Sequence, residues 1–274
     1  MPHTDVIDAP HAQATDVHAL PADKMPGHWL LASLGKRVLR PGGLEMTSRM
    51  VEKLGIGRQD DVLELAPGLG VTARMTLGRH PHSYTAVERD EKAAKNIVGL
   101  LEGSRNRCVL GTAEDTGLPS ASFSVAYGEA MLTIQGGPAK LRILQEVNRV
   151  LKPGGRYGIH ELCIVPDEAG EAIRKEIEKR LSTGIHVGVQ PLVAKEWKQL
   201  LESAGFKVLW AKRAPMHLLE PKRLIRDEGW AGALRFAFNL LRRPAARKRV
   251  LSMRRLFREY QDNLEAISFV CQKL

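Results

Sequence analysis

The residues best placed to do chemistry are a short run, Glu64-Leu65-Ala66-Pro67-Gly68-Leu69-Gly70, and an acid 20 residues beyond Gly68, Glu88. An apolar strand, Val62 to Leu65, enters the glycine turn and a helix beginning at Thr72 leaves it. Glycines in such a turn let backbone approach a ligand closely. The helix start adds free N–H groups and the positive end of a dipole. Gly68 to Ala73 fits the dinucleotide pattern G-x-G-x-x-A, and Glu88 stands where such a site places its ribose acid. These two features alone leave a nicotinamide-dependent oxidoreductase open. A tight turn with no ligand is the plain alternative, but it leaves the acid at the end of the second strand unexplained. Strand tips supply further candidates, because open parallel sheets bind ligands at the carboxyl ends of their strands. They are Glu129 where the fourth strand ends, His160 at the end of the fifth, and His186 in the loop around Gly184-Ile185-His186. Either histidine could serve as a general base and Glu129 could hold substrate or cofactor, against a hydrogen-bonded structural role for each.

Strands and helices alternate around these residues. Strands are predicted at 62–65, 83–87, 107–110, 123–127, 156–161, 206–210 and 266–271. Helices are predicted from Thr72 and over 91–101, 141–151, 167–182 and 196–204. This order predicts an α/β fold, a seven-stranded and mostly parallel sheet with helices on both faces. Residues 58–219 and a final strand at 263–274 form the expected core. An N-terminal helical cap spans 26–57, with Trp29, Leu30, Leu34, Val38 and Leu39 as one stripe before Pro41-Gly42-Gly43. Residues 1–25 are polar and aperiodic and read as a loose tail, so His3, His11, His18 and His28 are expected to be solvated. The segment Arg37 to Gly43 echoes Arg149 to Gly155, an echo read as chance.

Composition narrows the classes. With 274 residues, 43% hydrophobic and 26% charged, the chain is neither fibrous nor wholly disordered. Aromatic residues make up 5%, which disfavours stacking on single-stranded nucleic acid. Cys108, Cys163 and Cys271 are scattered with no C-x-x-C pair, so no metal site is expected and a reducing, cytoplasmic setting is. No apolar run is long enough to cross a membrane, and the N-terminus lacks a signal-peptide layout.

Taken together, the motifs resemble the class I S-adenosylmethionine-dependent methyltransferase family, in its small-molecule branch. Glu64 matches the family's first acid, with Ala66, Gly68 and Gly70 at its three glycine positions. Glu88 ends strand two in Ala86-Val87-Glu88-Arg89, and Gly111-Thr112-Ala113-Glu114-Asp115 follows strand three like the family's G-D-A-E stretch. Glu146 to Gly155 reads E-V-N-R-V-L-K-P-G-G, the family's signature before strand five. The resemblance covers roughly residues 58–212 and the last strand. Two positions depart from it, Ala66 for glycine and Thr112 for aspartate.

The resemblance implies S-adenosyl-L-methionine as cofactor and a small, partly apolar methyl acceptor. It implies that Glu88 grips the ribose hydroxyls, that Ala66-Pro67-Gly68 and Gly70 run along the methionine part, and that Glu64 orients its ammonium group. It further implies that the Ala113 N–H reads the adenine edge, with Arg89 beside its face; Thr112 offers one hydroxyl where the family has a carboxylate, which leaves a weaker contact or one taken over by Glu114 or Asp115. A cofactor-binding protein of this fold without catalysis is a third reading. Strand four lacks an Asn/Asp-Pro-Pro-aromatic motif and no strand tip carries an obvious nucleophilic cysteine, which disfavours methylation of nucleic-acid bases.

The net charge of +10 is concentrated. Residues 212–258 hold 14 Lys/Arg and 3 Asp/Glu. A basic amphipathic insert, 220–262, is therefore expected to act as a lid over the core. Trp230, Leu234, Phe238 and Leu241 recur at helical spacing in it, as do Val250, Met253, Phe257 and Tyr260. The sharper expectation is peripheral contact with an anionic membrane through 220–258. Nucleic acid is the weaker partner, and the sequence leaves oligomeric state undefined.

Overall fold

The protein is described by a computed structural model for residues 17–274. Its centre is one sheet of eight strands: β1 (Asp61–Leu65), β2 (Ser83–Glu88), β3 (Asn106–Leu110), β4 (Phe123–Glu129), β5 (Leu151–Ile164), β6 (Leu192–Val193), β7 (Phe206–Pro215) and β8 (Leu264–Lys273). The spatial order is β3-β2-β1-β4-β5-β8-β7, with β6 paired to β5. Pairs through β5 are parallel, whereas β8 runs antiparallel to both β5 and β7. Strand order reverses between β1 and β4, so a crevice opens at the carboxyl ends of those two strands.

The expectation of seven strands missed β6, whose two residues are too few to show a period. β5 starts at Leu151 rather than Arg156, because its pairing with Phe123 resumes directly after the preceding helix, across a bulge.

Nine helices flank the sheet among the described residues: α1 (Gly27–Ser33), α2 (Gly43–Leu54), α3 (Val71–Leu77), α4 (Glu91–Val98), α5 (Gly137–Val150), α6 (Glu171–Ile185), α7 (Ala194–Ser203), α8 (Pro221–Arg242) and α9 (Pro244–Glu259). Apolar residues of α5 and α7 fill one face of the sheet, including Leu144, Val147, Trp197 and Leu201. Those of α2 and α4 fill the other, including Met50, Leu54, Ala94 and Ile97.

Outside the sheet the structure differs from expectation in four ways. α1 ends at Ser33 instead of running through Leu39, because the chain turns at Gly35 and the buried Lys36 follows. Residues 184–185 are the last of α6, not a loop; Gly184 packs so closely on Leu256 of α9 that a Cβ would stand 2.4 Å from its Cδ2. In α8, Trp230, Leu234, Phe238 and Leu241 face outward at 56–71% exposure, and Phe236 and Leu240 are the residues of that half that pack in the cluster with the cap. Left-handed backbone at Gly229 (φ 72°, ψ 171°) breaks α8 just before that stripe. In α9 the expected stripe does turn inward, through Val250, Met253, Phe257 and Tyr260. Finally, the expected tail lies mostly outside the described residues, as do His3 and His11. Its described part is packed instead: Leu20, Ala22 and Met25 join α1 and α9 in one apolar cluster. His18 Nε2 lies 3.0 Å from Asp90 Oδ1.

Candidate active site

The turn after β1 is shaped by left-handed backbone at Ala66 (φ 52°), Gly68 (φ 56°) and Gly70 (φ 71°). Glycine is required at position 70, where a Cβ would stand 2.6 Å from Leu100 Cδ1 and 2.9 Å from Ile97 Cδ1. At Gly68 a Cβ would meet only the Ala66 carbonyl oxygen, at 4.0 Å, so the backbone there borders open space. Ala66 donates its N–H to the Val87 carbonyl at 2.9 Å, which ties the turn to β2. Pro67 is half-buried beside it. Ala130, at the tip of β4, is also left-handed (φ 52°), so the crevice is flanked by two such alanines.

Glu88 ends β2 with its carboxylate against this turn. One oxygen accepts the Gly68 N–H at 3.0 Å, and the other accepts Arg89 N–H at 2.9 Å and Asp90 N–H at 3.1 Å. Burial pushes its pKa up, against those three backbone donors. A carboxylate has about four acceptor positions, so capacity for a ligand hydroxyl remains. Arg89 is exposed beside it, and His28 of α1 faces the same corner. Burial and the Arg89 charge hold the His28 pKa down to about 4, so the ring is neutral rather than a solvated cation.

Glu64 lies at the crevice floor, fully buried, where one carboxylate oxygen accepts Tyr84 O–H at 2.6 Å and Tyr127 O–H at 2.7 Å. Tyr127 is in turn 2.7 Å from Thr76 Oγ1. Burial dominates and raises the Glu64 pKa to about 7, despite the two phenol donors.

Glu129 has the opposite environment. It accepts Thr47 O–H at 2.6 Å and Thr72 O–H at 2.5 Å, lies 2.9 Å from His160 Nδ1, and forms an ion pair with Arg40 Nε at 3.3 Å. Burial alone would raise its pKa, but Arg40, His160 and the Thr47 hydroxyl together hold it down to about 2. Glu129 is thus an ionised hub joining α2, the start of α3, β5 and the segment before α2.

The structure brings Glu64, Glu88, Glu129 and the glycine turn to one crevice. It places His160 behind Glu129, completely buried, with Nε2 lacking any hydrogen-bond partner. His186 is exposed at the end of α6 and makes no hydrogen bond among the described residues. Ala113 is half-buried and packs against the core near the crevice. Thr112 is exposed, its hydroxyl 3.4 Å from the Asp115 carbonyl, and Glu114 is engaged with Arg142 at 2.7 Å. The neighbouring Glu161 accepts the N–H groups of Met131, Leu132 and Thr133 and so fixes the loop after β4.

Arg40, Thr47, Thr72, Tyr84 and Tyr127 were not singled out from sequence. The phenols in otherwise apolar strands were the available signal, since a buried tyrosine needs a partner for its O–H. Arg40 sits in the Arg37–Gly43 segment dismissed as a chance echo.

The comparisons with known proteins agree with this geometry. A family model described as "Methyltransferase domain" matches residues 63–159. An uncharacterised protein of Haemophilus influenzae is 30% identical over 248 residues, covering 89% of this chain and 95% of its own. The demethylmenaquinone methyltransferase of Chlamydia muridarum is 34% identical over 111 residues, 39% of this chain and 46% of its own. In fold, the chain is similar to phosphoethanolamine N-methyltransferase 2 of Haemonchus contortus in complex with S-adenosyl-L-methionine. That likeness has a TM-score of 0.67 at 15% identity, and covers 90% of this chain and 56% of the other.

Proposed function

We propose that this chain, which belongs to the class I S-adenosylmethionine-dependent methyltransferases, methylates a small molecule with apolar bulk in the crevice at the tips of β1, β4 and β5. The cofactor, S-adenosyl-L-methionine, supplies an electrophilic methyl group on a sulfonium whose departure needs no proton. The protein's task is then alignment, which can supply much of the rate. Glu88 binds the ribose hydroxyls through its remaining lone pairs, and Gly68 leaves room for the methionine part. Glu64, once ionised, faces the ammonium group. The Ala113 N–H and the Thr112 hydroxyl serve the adenine edge with Arg89 at its face; Glu114 is committed to Arg142. Glu129 is a positioning residue that ties cap to glycine turn, because a carboxyl held near 2 is a poor proton acceptor at neutral pH. His160 acts through Glu129 rather than on the acceptor. The three cysteines are buried with their thiols pushed up to about 12 by burial, which argues against thiolate attack on a pyrimidine.

The observation that carries this reading is the Glu88 carboxylate, held to the glycine turn by the Gly68 N–H and oriented by the N–H groups of Arg89 and Asp90. Calorimetric titration with S-adenosylmethionine, S-adenosylhomocysteine, NAD and NADP tests it. The first two should bind and the nicotinamides should not. Glu88→Ala should lose about 100-fold or more in affinity, since hydrogen bonds to a charged group are worth about 1.5–3 kcal/mol each. Binding of a nicotinamide alone, or unchanged affinity in the variant, would overturn it.

The insert supports docking of the enzyme on an anionic lipid surface. No helix among the described residues is long and apolar enough to cross a membrane. Yet Trp230, Leu234, Phe238 and Leu241 form an exposed stripe, flanked by exposed Arg235, Arg242, Arg243, Arg247 and Lys248. Partial immersion of an apolar side chain is worth roughly 1–2 kcal/mol, and each nearby cation adds about 1 kcal/mol at an anionic surface.

A further inference from the structure

Three cations of the cap and insert are buried together beside the crevice: Lys36 at 0% exposure, Arg40 and Arg223 at 9% each. Their donors are not used up. Lys36 Nζ stands 3.8 Å from Asp227 Oδ2 and 3.8 Å from Glu228 Oε1, beyond hydrogen-bond reach. Arg40 gives its Nε to Thr47 and Glu129, but its Nη2 has no hydrogen-bond partner. Arg223 Nη1 has none either, its nearest acid being Glu45 at 4.0 Å. An unsatisfied buried charged donor costs about 1–3 kcal/mol or more, and folded proteins rarely keep one without a use.

The local acids do not absorb these donors. Glu228 is taken up by the N–H groups of Arg37 and Val38 and by the Arg37 side chain. Asp227 Oδ1 accepts the Leu44 N–H at 3.0 Å. Asp227 Oδ2 is open, and a small movement of Lys36 would satisfy it. Arg40 Nη2 and Arg223 Nη1 would still lack acceptors, so the cluster lacks something rich in oxygen.

The cluster is also reachable. Arg223 lines a cavity of about 850 Å³ between the β7–α8 turn and α9. Five lysine or arginine side chains face that cavity against one carboxylate, Glu220, which is itself clamped by Arg254 and Arg258. Among the three cations, Arg40 is the one that joins the crevice: its Nε lies 3.3 Å from Glu129, which accepts the Thr72 hydroxyl at the glycine turn.

We propose that Lys36, Arg40 and Arg223 form an oxyanion site for the methyl acceptor, binding a carboxylate or phosphate group that enters past Arg223. Guanidinium forks suit either group, since both present paired oxygens. This rests on the methyl-transfer reading and narrows its substrate to an anionic molecule with an apolar body.

The test is calorimetry on the full chain saturated with S-adenosylhomocysteine, titrated with inorganic phosphate and, separately, with malonate. At least one should bind at a single site, and which one does identifies the group. Arg223→Gln should weaken that binding 10-fold or more while S-adenosylhomocysteine affinity stays unchanged. Absence of binding by both anions, or equal binding by the variant, would overturn the proposal. Failure of the methyl-transfer reading would register separately, as no S-adenosylhomocysteine binding by the unaltered protein. Should Arg223→Gln not fold, selenate soaked into crystals of the unaltered protein should give an anomalous peak between Lys36 and Arg223. Its absence there would equally overturn the site.

Discussion

Glu64→Gln should make the protein more stable from about pH 6 upward and less stable at acid pH, with the crossover near pH 5. The fold raises the Glu64 pKa from 4.5 to about 7 by full burial. Each pKa unit is worth about 1.36 kcal/mol, so holding this carboxyl ionised at pH 8 costs the fold roughly 3 kcal/mol. The sign follows from proton counting. The folded state binds the proton more tightly than the unfolded chain, so the contribution is fully present below about 4.5 and is lost as pH rises through about 7. Glutamine keeps an acceptor for the Tyr84 and Tyr127 hydroxyls and removes the titration. Its amide N–H groups need partners, which costs about 1 kcal/mol at every pH. The variant should therefore be about 1 kcal/mol less stable than the parent at pH 4, about equal to it at pH 5, and about 2 kcal/mol more stable at pH 8. Glu129, held near 2, titrates below this window. Urea denaturation of both proteins at pH 5, 6, 7 and 8 measures the difference. A difference that stays flat or falls with pH would refute the reasoning. The same logic makes cofactor binding release a proton near pH 6, because a bound ammonium favours ionised Glu64. Calorimetry in two buffers of unlike ionisation enthalpy reads that proton directly.

Ala66→Gly should raise the unfolding midpoint, since an L-residue at φ 52° carries roughly 1 kcal/mol of backbone strain that glycine lacks. A lower midpoint would mean the Cβ contributes more by packing than it costs. Phe238→Glu combined with Leu234→Glu should cut sedimentation with phosphatidylserine-containing vesicles by 10-fold or more and leave the unfolding free energy within about 0.5 kcal/mol, as both residues are exposed. Unchanged sedimentation would place any lipid contact elsewhere.

What could be read from sequence was whatever backbone geometry dictates locally. The glycine turn, the acid ending β2 and the end of α5 just ahead of Lys152-Pro153-Gly154-Gly155 are all set by neighbours in the chain, and all shape the observed fold. The partners of Glu129 were not legible, because Thr72 and Thr47 lie 57 and 82 residues away and nothing local marks either hydroxyl. Periodicity likewise gave the α8 stripe without its direction. Trp230 and Phe236 are equally apolar in sequence, and only the break at Gly229 and the position of α1 decide which turns inward. The described end of the expected tail was missed for a related reason: its few apolar residues show no period, yet α1 and α9 together offer them a surface.

Asp227 and Glu228, side by side at the end of the first half of α8, clasp the cap at two points, the Leu44 N–H and the N–H groups of Arg37 and Val38. The cap therefore has no independent hinge. Any swing of the cap away from the strand tips must either break these three hydrogen bonds or drag the insert with it. The break at Gly229 lies immediately beyond the clasp, yet the outer half of α8 is tied to the cap as well, by Phe236 in the α1 cluster and by Asn239 and Arg243 donating to the Leu34 and Ser33 carbonyls at 3.0 and 3.1 Å. Cap and insert are thus latched on both sides of the break, so force applied to the outer stripe is passed to the cap rather than absorbed at Gly229.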